Sequence, residues 1–304
     1  MTTRRRAVIT GLGVVTSLGT EVNRLWENLL QKKSGISRIT KFDPTGYLCQ
    51  IAGEIKDFDP SCCIQAKDVR RLDLFSQYAL VAADHAMKDS GLCMTGEDAT
   101  RMGVIIGSGM GGMTEVEAQE EIIRQKGPRQ VSPFFIPKIM INAVSAEISI
   151  RYGFQGINFI TASACSSSAH AVGQALRAIQ YNEADVVIAG GAEAVITPLS
   201  IAGFCSSRAL SQRNDEPEKA SRPFDKDRDG FVMAEGSAIL VVEEMERAKK
   251  RGANIYAELK GVGWNADAYH ITQPSPEGKG AAMAMKSAMA PSGGATMVVA
   301  QAIT

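Results

Sequence analysis

The fold is decided by the stretch INFITASACSSSAH, residues 157–170. Its first half is a short apolar run typical of a buried strand, and its second half begins a helical pattern. Small residues between the halves allow a sharp turn that leaves the thiol of Cys165 exposed. Because a helix N-terminus presents unpaired N–H groups and a partial positive charge, it favours a thiolate over a thiol. The stretch therefore predicts a nucleophilic cysteine activated without an adjacent base.

Similar apolar runs recur along the chain, at residues 7–11, 102–107, 185–190 and 238–242. Because these runs are continuous and do not alternate, they predict strands covered on both faces of a parallel or mixed sheet. Helical patterns lie between them, at residues 22–30, 72–89, 114–125, 142–151 and 166–181. This alternation predicts a layered α/β architecture. A further strand and helix, at residues 256–263 and 280–290, predict the beginning of a second unit.

The composition is that of a globular protein with one large or two ordinary domains: 304 residues, 45% hydrophobic and 22% charged. Lys+Arg and Asp+Glu are equal at 33 each, so no overall charge attracts nucleic acid or an anionic membrane. The six cysteines show no C-x-x-C spacing, which favours a reducing compartment and a cytoplasmic location. The basic residues 4–6 imitate a signal peptide, but Gly11 and Gly13 interrupt the apolar run that follows, which favours a buried strand.

Two motifs resemble ligand-binding loops, but the sequence around each of them lacks a residue that the ligand would require. GSGMGG, residues 107–112, fits the dinucleotide pattern G-x-G-x-x-G, yet no acidic residue ends a second strand about 20 residues further on. We expect this loop to let a substrate or a neighbouring subunit approach the backbone. DKDRDG, residues 225–230, resembles a calcium loop, but Gly236 stands where the bidentate glutamate belongs. The sequence therefore predicts no cofactor and no metal, and a turn at residues 225–230 held by its own carboxylates.

None of the three histidines is an obvious general base for Cys165. His85 lies on an amphipathic helix, and His170 lies about 140° round the helix from Cys165, so both are predicted to be structural. The irregular stretch around His270 leaves open whether that imidazole lies near a pocket. A thiol hydrolase is disfavoured, because no His and Asn/Asp partners can be assigned.

The segment TASACSSSA, residues 161–169, resembles the nucleophile segment of the elongating β-ketoacyl-acyl-carrier-protein synthases, whose fold is thiolase-like. Similar segments follow the family's order over residues 5–290: VITGLG at 8–13, IGSG at 106–109, SPFF at 132–135, AGGAE at 189–193, SRPFD at 221–225 and DAYH at 267–270. The resemblance implies a layered α-β-α-β-α fold. Its first half is complete over residues 1–253, and its second half begins at residue 254 and is cut short.

The resemblance also implies an acyltransferase that elongates fatty acids by decarboxylative Claisen condensation. Cys165 takes an acyl chain from acyl carrier protein as a thioester, which the enolate of decarboxylated malonyl-acyl carrier protein then attacks. The backbone N–H of Cys165 supplies one oxyanion donor. By match, Met110 and Phe204 line or gate the acyl tunnel, and Phe135 closes it from the partner subunit of a homodimer. Thr272 lies near the pantetheine arm.

The match assigns several basic residues to docking of the acidic carrier protein: Lys67, Arg70, Arg71, Arg129 and Arg208. The alternative is that they form an ordinary solvated surface, although a local basic patch on a neutral protein suits an acidic partner. Together with the SPFF segment, they favour the carrier protein over coenzyme A, which a thiolase of the same fold uses. The segment around Phe159 is expected to pair central strands across the dimer axis.

The end of the chain departs from the family pattern. The family's two catalytic histidines, a lysine and a glycine-phenylalanine-glycine loop lie beyond the match, and the tail from residue 291 does not follow the family's next strand. A shifted reading frame, a truncated product or a split gene would each explain this. Two functions stay open: the complete condensation, or a fragment or non-enzymatic partner subunit. For the fragment we expect weak acylation of Cys165, no condensation and exposed apolar surface that lowers solubility.

Overall fold

The computed structural model describes residues 4–290 and the backbone of residues 298–300. Its strands are β1 (Ala7–Thr16), β2 (Ser37–Arg38), β3 (Ile51–Ala52), β4 (Met102–Gly107), β5 (Asn158–Thr161), β6 (Val186–Glu193), β7 (Gly236–Glu244), β8 (Ala257–Leu259), β9 (Gly261–Gly263) and β10 (Val298–Ala300). Its α-helices are α1 (Val22–Leu30), α2 (Ala66–Val69), α3 (Leu74–Ser90), α4 (Met113–Lys126), α5 (Phe135–Ile139), α6 (Ala143–Tyr152), α7 (Ser167–Gln180), α8 (Pro198–Ser206), α9 (Met245–Lys250) and α10 (Lys279–Met289).

A mixed sheet of six strands in the order β5-β4-β6-β7-β1-β8 forms the centre of the molecule. β4 pairs in parallel with β5 and β6, whereas β7 runs antiparallel to β6 and β1, and β8 antiparallel to β1. β4 and β6 are buried almost throughout, as their continuous apolar runs predicted. The expected parallel or mixed sheet is therefore confirmed in its mixed form.

Helices cover both faces of this sheet. Successive residues of β4 point to opposite faces, so Val104 and Ile106 join one hydrophobic cluster and Ile105 joins another. On the first face α3 contributes Phe75, which is fully buried. On the second face α7 contributes Leu176. Burial of an apolar helix face on each side of the sheet produces the α-β-α layers.

The predicted strand at residues 157–165 is shorter in the structure and lies at the sheet edge. β5 ends at Thr161, because the residues that follow form a hydrogen-bonded turn. Asn158 and Phe159 are exposed. α6 and α7 both contact β5, and the exposure of Asn158 and Phe159 arises because β5 has a neighbouring strand on one side only. The predicted helices, in contrast, all begin and end within two residues of their expected bounds.

The chain after residue 256 belongs to two sheets. β8 extends the main sheet beside β1, whereas β9 pairs in parallel with β10 and packs against α10. Trp264 and Val262 contact α7 at Gly173. The boundary at residue 253 stays a prediction, and the departure expected from residue 291 lies outside the described residues apart from the backbone of β10. None of the helices in the described part of the chain is both long and apolar enough to cross a bilayer.

Candidate active site

Cys165 lies in the turn between β5 and α7, one residue before the helix N-cap, Ser166. Its side chain is exposed, as the sequence predicted. The preceding residue, Ala164, has φ of +50°, a left-handed conformation that is uncommon for a residue with a Cβ atom. Such a conformation persists only where the surrounding structure holds it in place.

Hydroxyl groups hold this turn. Ser167 Oγ donates to the carbonyl of Ala164 at 2.7 Å and accepts the N–H of Ser163 at 2.9 Å. Ser166 Oγ donates to the carbonyl of Ser163 at 2.9 Å, and Thr161 Oγ1 donates to the carbonyl of Ser167 at 2.7 Å. The carbonyls of Ser163 and Ala164 also accept the N–H groups of Ser166 and Ser167, so the hydroxyls add a second hydrogen bond at each of them. The serines that follow the cysteine therefore fix its position.

Two glycines let α7 approach the ends of β4 and β6. A Cβ atom at Gly107 would lie 2.3 Å from the carbonyl carbon of Ser167, and one at Gly191 would lie 1.9 Å from Ser168 Oγ. Only glycine allows contacts this close. The helix N-terminus and Cys165 thus sit at the carboxyl ends of parallel strands, which is where sites of α/β proteins usually lie.

The GSGMGG loop encloses a carboxylate from its own chain. Glu193, the last residue of β6, accepts the N–H groups of Gly109 at 2.7 Å, Met110 at 3.2 Å and Gly111 at 3.1 Å, and the hydroxyl of Ser108 at 3.2 Å. Burial raises the pKa of Glu193, while these hydrogen bonds oppose the rise. The loop was expected to admit a substrate or a neighbouring subunit. That expectation stays a prediction, while the loop amides donate to an internal carboxylate and so do not point at a phosphate site.

His170 contacts the nucleophile turn. Its Nδ1 lies 2.6 Å from Ser163 Oγ, and its ring packs edge-on against Trp264 with 5.4 Å between centroids. His270 lies in an exposed loop, where its Nδ1 accepts the N–H groups of Thr272 and Gln273. Within residues 4–290, neither these two imidazoles nor that of His85 forms a hydrogen bond with Cys165.

The other predicted substrate residues lie on separate elements. Met110, in the glycine loop, is 39% exposed. Phe204 in α8 packs edge-on against Phe231, with 5.4 Å between ring centroids. Phe135 begins α5 and is half-buried, and Thr272 is exposed beside His270. Their roles toward an acyl chain stay predictions.

The predicted docking residues are all exposed, and the structure brings some of them together. Lys67, Arg70 and Arg71 lie on or just after α2, and the Arg71 guanidinium lies 5.3 Å from the ring centre of Phe134 in the SPFF segment. Arg129 shortly precedes this segment. Arg208 lies on a separate element, directly after Ser207, the C-cap of α8. Among the described residues, ion pairs form at Arg71 but at none of the other four.

The DKDRDG segment is an ordered turn. Asp225 Oδ1 accepts the N–H of Asp227 at 2.8 Å, and Asp229 accepts the hydroxyl of Ser211 at 2.7 Å and the N–H of Gln212 at 3.0 Å. The turn is held by its own carboxylates, as predicted. Over the part of the chain that the structure describes, no three His, Cys, Asp or Glu side chains are arranged to hold a metal ion.

Sequence reasoning missed two features of this site: the role of Glu193 and the contact between His170 and Ser163. A signal for the first was present, because Glu193 is a lone acidic residue that closes an apolar strand. Buried carboxylates require hydrogen-bond donors. The donors themselves lie more than 80 residues away in the chain, so the sequence did not identify them.

Comparison with known proteins agrees with this architecture. The family described as "Beta-ketoacyl synthase, N-terminal domain" matches residues 4–248, and the chain belongs to the β-ketoacyl synthase family. It is 50% identical over 290 residues to 3-oxoacyl-[acyl-carrier-protein] synthase 2 of Coxiella burnetii, covering 95% of this chain and 70% of that protein. It is 49% identical over 286 residues to the protein of the same name from Vibrio harveyi, covering 94% and 69%.

Solved structures show the same fold. A β-ketoacyl synthase from Burkholderia phymatum superposes with a TM-score of 0.86 at 33% identity, over 95% of this chain and 71% of that one. The ishigamide ketosynthase/chain length factor gives 0.88 at 32% identity, over 96% and 71%. AntDE:AntF, a ketosynthase in complex with its acyl-carrier protein, gives 0.84 at 32% identity, also over 96% and 71%. The predicted thiolase-like layered fold is confirmed.

Proposed function

We propose that this chain is a 3-oxoacyl-acyl-carrier-protein synthase, an acyltransferase that elongates fatty acids. One observation carries the proposal. The thiol of Cys165 is exposed at a constrained turn directly before α7. The chain that carries it is 50% identical over 290 residues to a synthase of this name. We also assign residues 1–253 to the complete first half of the fold and residues 254–304 to the beginning of the second. A cytoplasmic location accords with six free cysteines.

The first chemical step transfers an acyl group from acyl carrier protein to Cys165. The thiolate attacks the carbonyl carbon of the acyl thioester, a new carbon–sulfur bond forms, and the carrier's thiolate leaves. The partial positive charge at the N-terminus of α7 stabilises the attacking thiolate. The backbone N–H of Cys165 donates to the oxyanion that develops on the carbonyl oxygen. These groups all belong to the turn that the serine hydroxyls hold.

The second step is condensation. Malonyl-acyl carrier protein loses CO₂, and the electrons of the broken carbon–carbon bond form an enolate. The enolate carbon attacks the acyl thioester, and Cys165 departs as a thiolate, so the chain is longer by two carbons. Family members stabilise the enolate with imidazoles. In the described part of this chain the imidazole at the turn, His170, has its Nδ1 engaged with Ser163. Residues 4–290 therefore account more fully for acyl transfer than for condensation.

The acyl tail needs an apolar tunnel, which we assign to Met110 and Phe204. Phe135 closes it from the partner subunit, and Thr272 contacts the pantetheine arm. The homodimer forms through β5, which is an edge strand with Phe159 40% exposed. A recess of about 150 Å³ beside it is lined in part by Phe159, Arg177 and Tyr181. An unpaired edge of this kind is a template for pairing with a second copy.

Acyl carrier protein docks on the exposed basic residues Lys67, Arg70, Arg71, Arg129 and Arg208. Support comes from their exposure, from the lack of ion pairs at four of them within residues 4–290, and from the contact of Arg71 with the SPFF segment. Unpaired surface cations attract an acidic partner and accelerate its association.

Acylation of the chain tests this function. We expect incubation with acyl-acyl carrier protein to add one acyl mass to the peptide that contains Cys165, measured by mass spectrometry. Cys165→Ser should lower this acylation by about 10³-fold or more, because the nucleophile is lost. Cys205→Ser is the control and should be acylated normally.

A second measurement separates the two candidate functions. After addition of malonyl-acyl carrier protein, release of labelled CO₂ and formation of 3-oxoacyl product report condensation. A folded chain that binds carrier protein and is never acylated at Cys165 would contradict the enzyme and would indicate a non-catalytic partner subunit.

A further inference from the structure

Glu193 joins the end of β6 to the glycine loop through both carboxylate oxygens. Oε2 accepts the N–H groups of Gly109 and Met110, and Oε1 accepts the N–H of Gly111 and the hydroxyl of Ser108. Three successive amides thus converge on one anion, an arrangement that binds anions well. Within residues 4–290 no cation forms an ion pair with Glu193, so these neutral donors alone compensate its charge. Hydrogen bonds to an ionised acceptor are about twice as strong as neutral ones.

The loop that Glu193 holds lies between the nucleophile turn and the segment after α5. A Cβ atom at Gly109 would lie 3.8 Å from Ala164 Cα, next to Cys165. A Cβ atom at Gly111 would lie 2.5 Å from Ile141 Cγ2. The loop is therefore tightly packed at Gly111, and at Gly109 it lies within ordinary van der Waals distance of the nucleophile turn. Met110 projects from the middle of this clamped segment and remains partly exposed.

We propose that Glu193 is the positioning residue that sets which acyl chains Cys165 accepts, because it fixes the loop at residues 108–111 and with it Met110. The inference deepens the proposed function and rests on it. Loss of the carboxylate would release three amides of the loop, and the Met110 side chain would no longer present one defined surface to the chain. The effect should therefore depend on the length of the acyl chain and not on the thiol itself.

Glu193→Gln tests this role with almost no change in shape. One carboxylate oxygen becomes an NH₂ group that faces N–H donors, so bonds on one side of the group are lost. Glu54→Gln is a matched control. Glu54 is 3% exposed and accepts the N–H groups of Thr40 at 3.0 Å and Lys41 at 3.1 Å, on loops outside the candidate site. Both variants lose buried hydrogen bonds that backbone amides donate to a carboxylate. Only Glu193→Gln releases the glycine loop.

Two reactions of Cys165 are measured in each variant. One is acylation from carrier proteins that bear short or long acyl chains, and the other is alkylation by iodoacetamide or its long N-alkyl derivatives. For Glu193→Gln we expect the ratio of long-chain to short-chain rates to change by about tenfold or more in both reactions, as loss of charge-assisted bonds predicts. Alkylation by iodoacetamide itself should stay within about twofold of the parent rate. Glu54→Gln should preserve the ratio.

Met110→Ala completes the experiment as a double-mutant cycle. Alone it should change the chain-length ratio, and combined with Glu193→Gln it should add little, because the released Met110 no longer shapes the site. If Glu193→Gln does not fold, Glu193→Asp keeps the charge on a shorter arm and should shift the ratio by an intermediate amount.

The outcomes separate the two proposals. An unchanged chain-length ratio in folded Glu193 variants, or equal effects of Glu193→Gln and Glu54→Gln, overturns the positioning role. If carrier-bound acyl groups never acylate the parent chain, the proposed function fails. The alkyl iodoacetamides still measure the chain-length ratio in that case, because they need no carrier protein.

Discussion

At one end of the central sheet β6 finishes in Glu193, whose carboxylate accepts only N–H and hydroxyl groups of a glycine loop. At the other end of the sheet lies Glu243, the penultimate residue of β7. It is fully buried and forms ion pairs with Arg247 and Arg251. The register between β6 and β7 places these two carboxylates at opposite ends of the strand pair. Glu193 pairs with Gly236, whereas Glu243 lies opposite the first residue of β6.

The pKa values of carboxylates at the two ends move in opposite directions. At the Glu243 end, a hydrogen bond from Arg101 and the nearby Arg5 lower the pKa of Asp185 below its ordinary value. At the other end, burial raises the pKa of Glu193, and burial also raises the pKa of Asp73, the N-cap of α3, to about 6. The far end is thus closed by ion pairs. At the end that carries Cys165, Glu115 and Glu235 form ion pairs with Lys138 and Lys41. Asp73, which is buried, and Glu193, which is half-buried, form no ion pair among the described residues. Burial of these two carboxylates costs stability.

The largest effect should follow from removal of an ion pair at the far end. Glu243→Gln leaves the partly buried Arg247 and Arg251 with one ionic partner fewer, and we expect it to lower the free energy of unfolding by about 3–5 kcal/mol because Glu243 itself is fully buried. Urea denaturation measures the loss. Glu246→Gln, which removes an exposed pair with Lys249, is the control and should change stability little.

This variant also tests the division between the two ends. In the folded fraction, alkylation of Cys165 in Glu243→Gln should match the parent rate, since the change lies at the opposite end of the sheet. A large change in that rate without unfolding would show that the two ends are coupled.

A smaller effect of opposite sign should follow from neutralising a carboxylate at the site end. The folded state holds the Asp73 proton more tightly than the unfolded chain does, so this group stabilises below about pH 4 and the contribution is lost as pH rises through about 6. Asp73→Asn keeps the oxygen that accepts the Phe75 N–H. It should therefore raise the free energy of unfolding by about 1–3 kcal/mol at pH 7.5, with a much smaller gain at pH 4.5.

Urea midpoints at the two pH values measure this difference. Asp98→Asn is the matched control, because Asp98 caps a turn by accepting the Thr100 N–H at the surface and its hydrogen bonds to Thr100 lower its pKa. It should give no gain at pH 7.5. Destabilisation by Asp73→Asn at pH 7.5 would mean that Asp73 is stabilised as an anion, contrary to this comparison.

The smallest effect should come from the exposed surface near the site end. Lys67→Ala and Arg70→Ala each remove an exposed cation, so we expect the KM for acyl-acyl carrier protein to rise by about two- to fivefold with kcat unchanged. The effect should shrink at high salt, because screening weakens interactions between exposed charges. Lys249→Ala, on α9, is the control. A loss confined to kcat would contradict a docking role.

Much of the fold could be predicted because its causes are local. Periodicity located the helices closely: α1 occupies its predicted residues, and α7 differs by one residue at each end. The exposure of Cys165 followed from small residues between a strand and a helix. The length of β5 was overestimated, because an apolar run shows that a strand exists and does not show where the following turn begins.

The sequence by itself determined the elements, the nucleophile turn and the absence of a dinucleotide fingerprint, since each depends on residues close together in the chain. Only the tertiary structure decided which groups meet: Glu193 with loop amides over 80 residues earlier, Glu243 with Thr10, and α7 against the ends of β4 and β6. The physical reason is that a charged residue at the end of an apolar run can be recognised from the sequence as a buried group that needs hydrogen-bond partners. The partners themselves are selected by packing, which brings distant backbone groups within hydrogen-bonding distance.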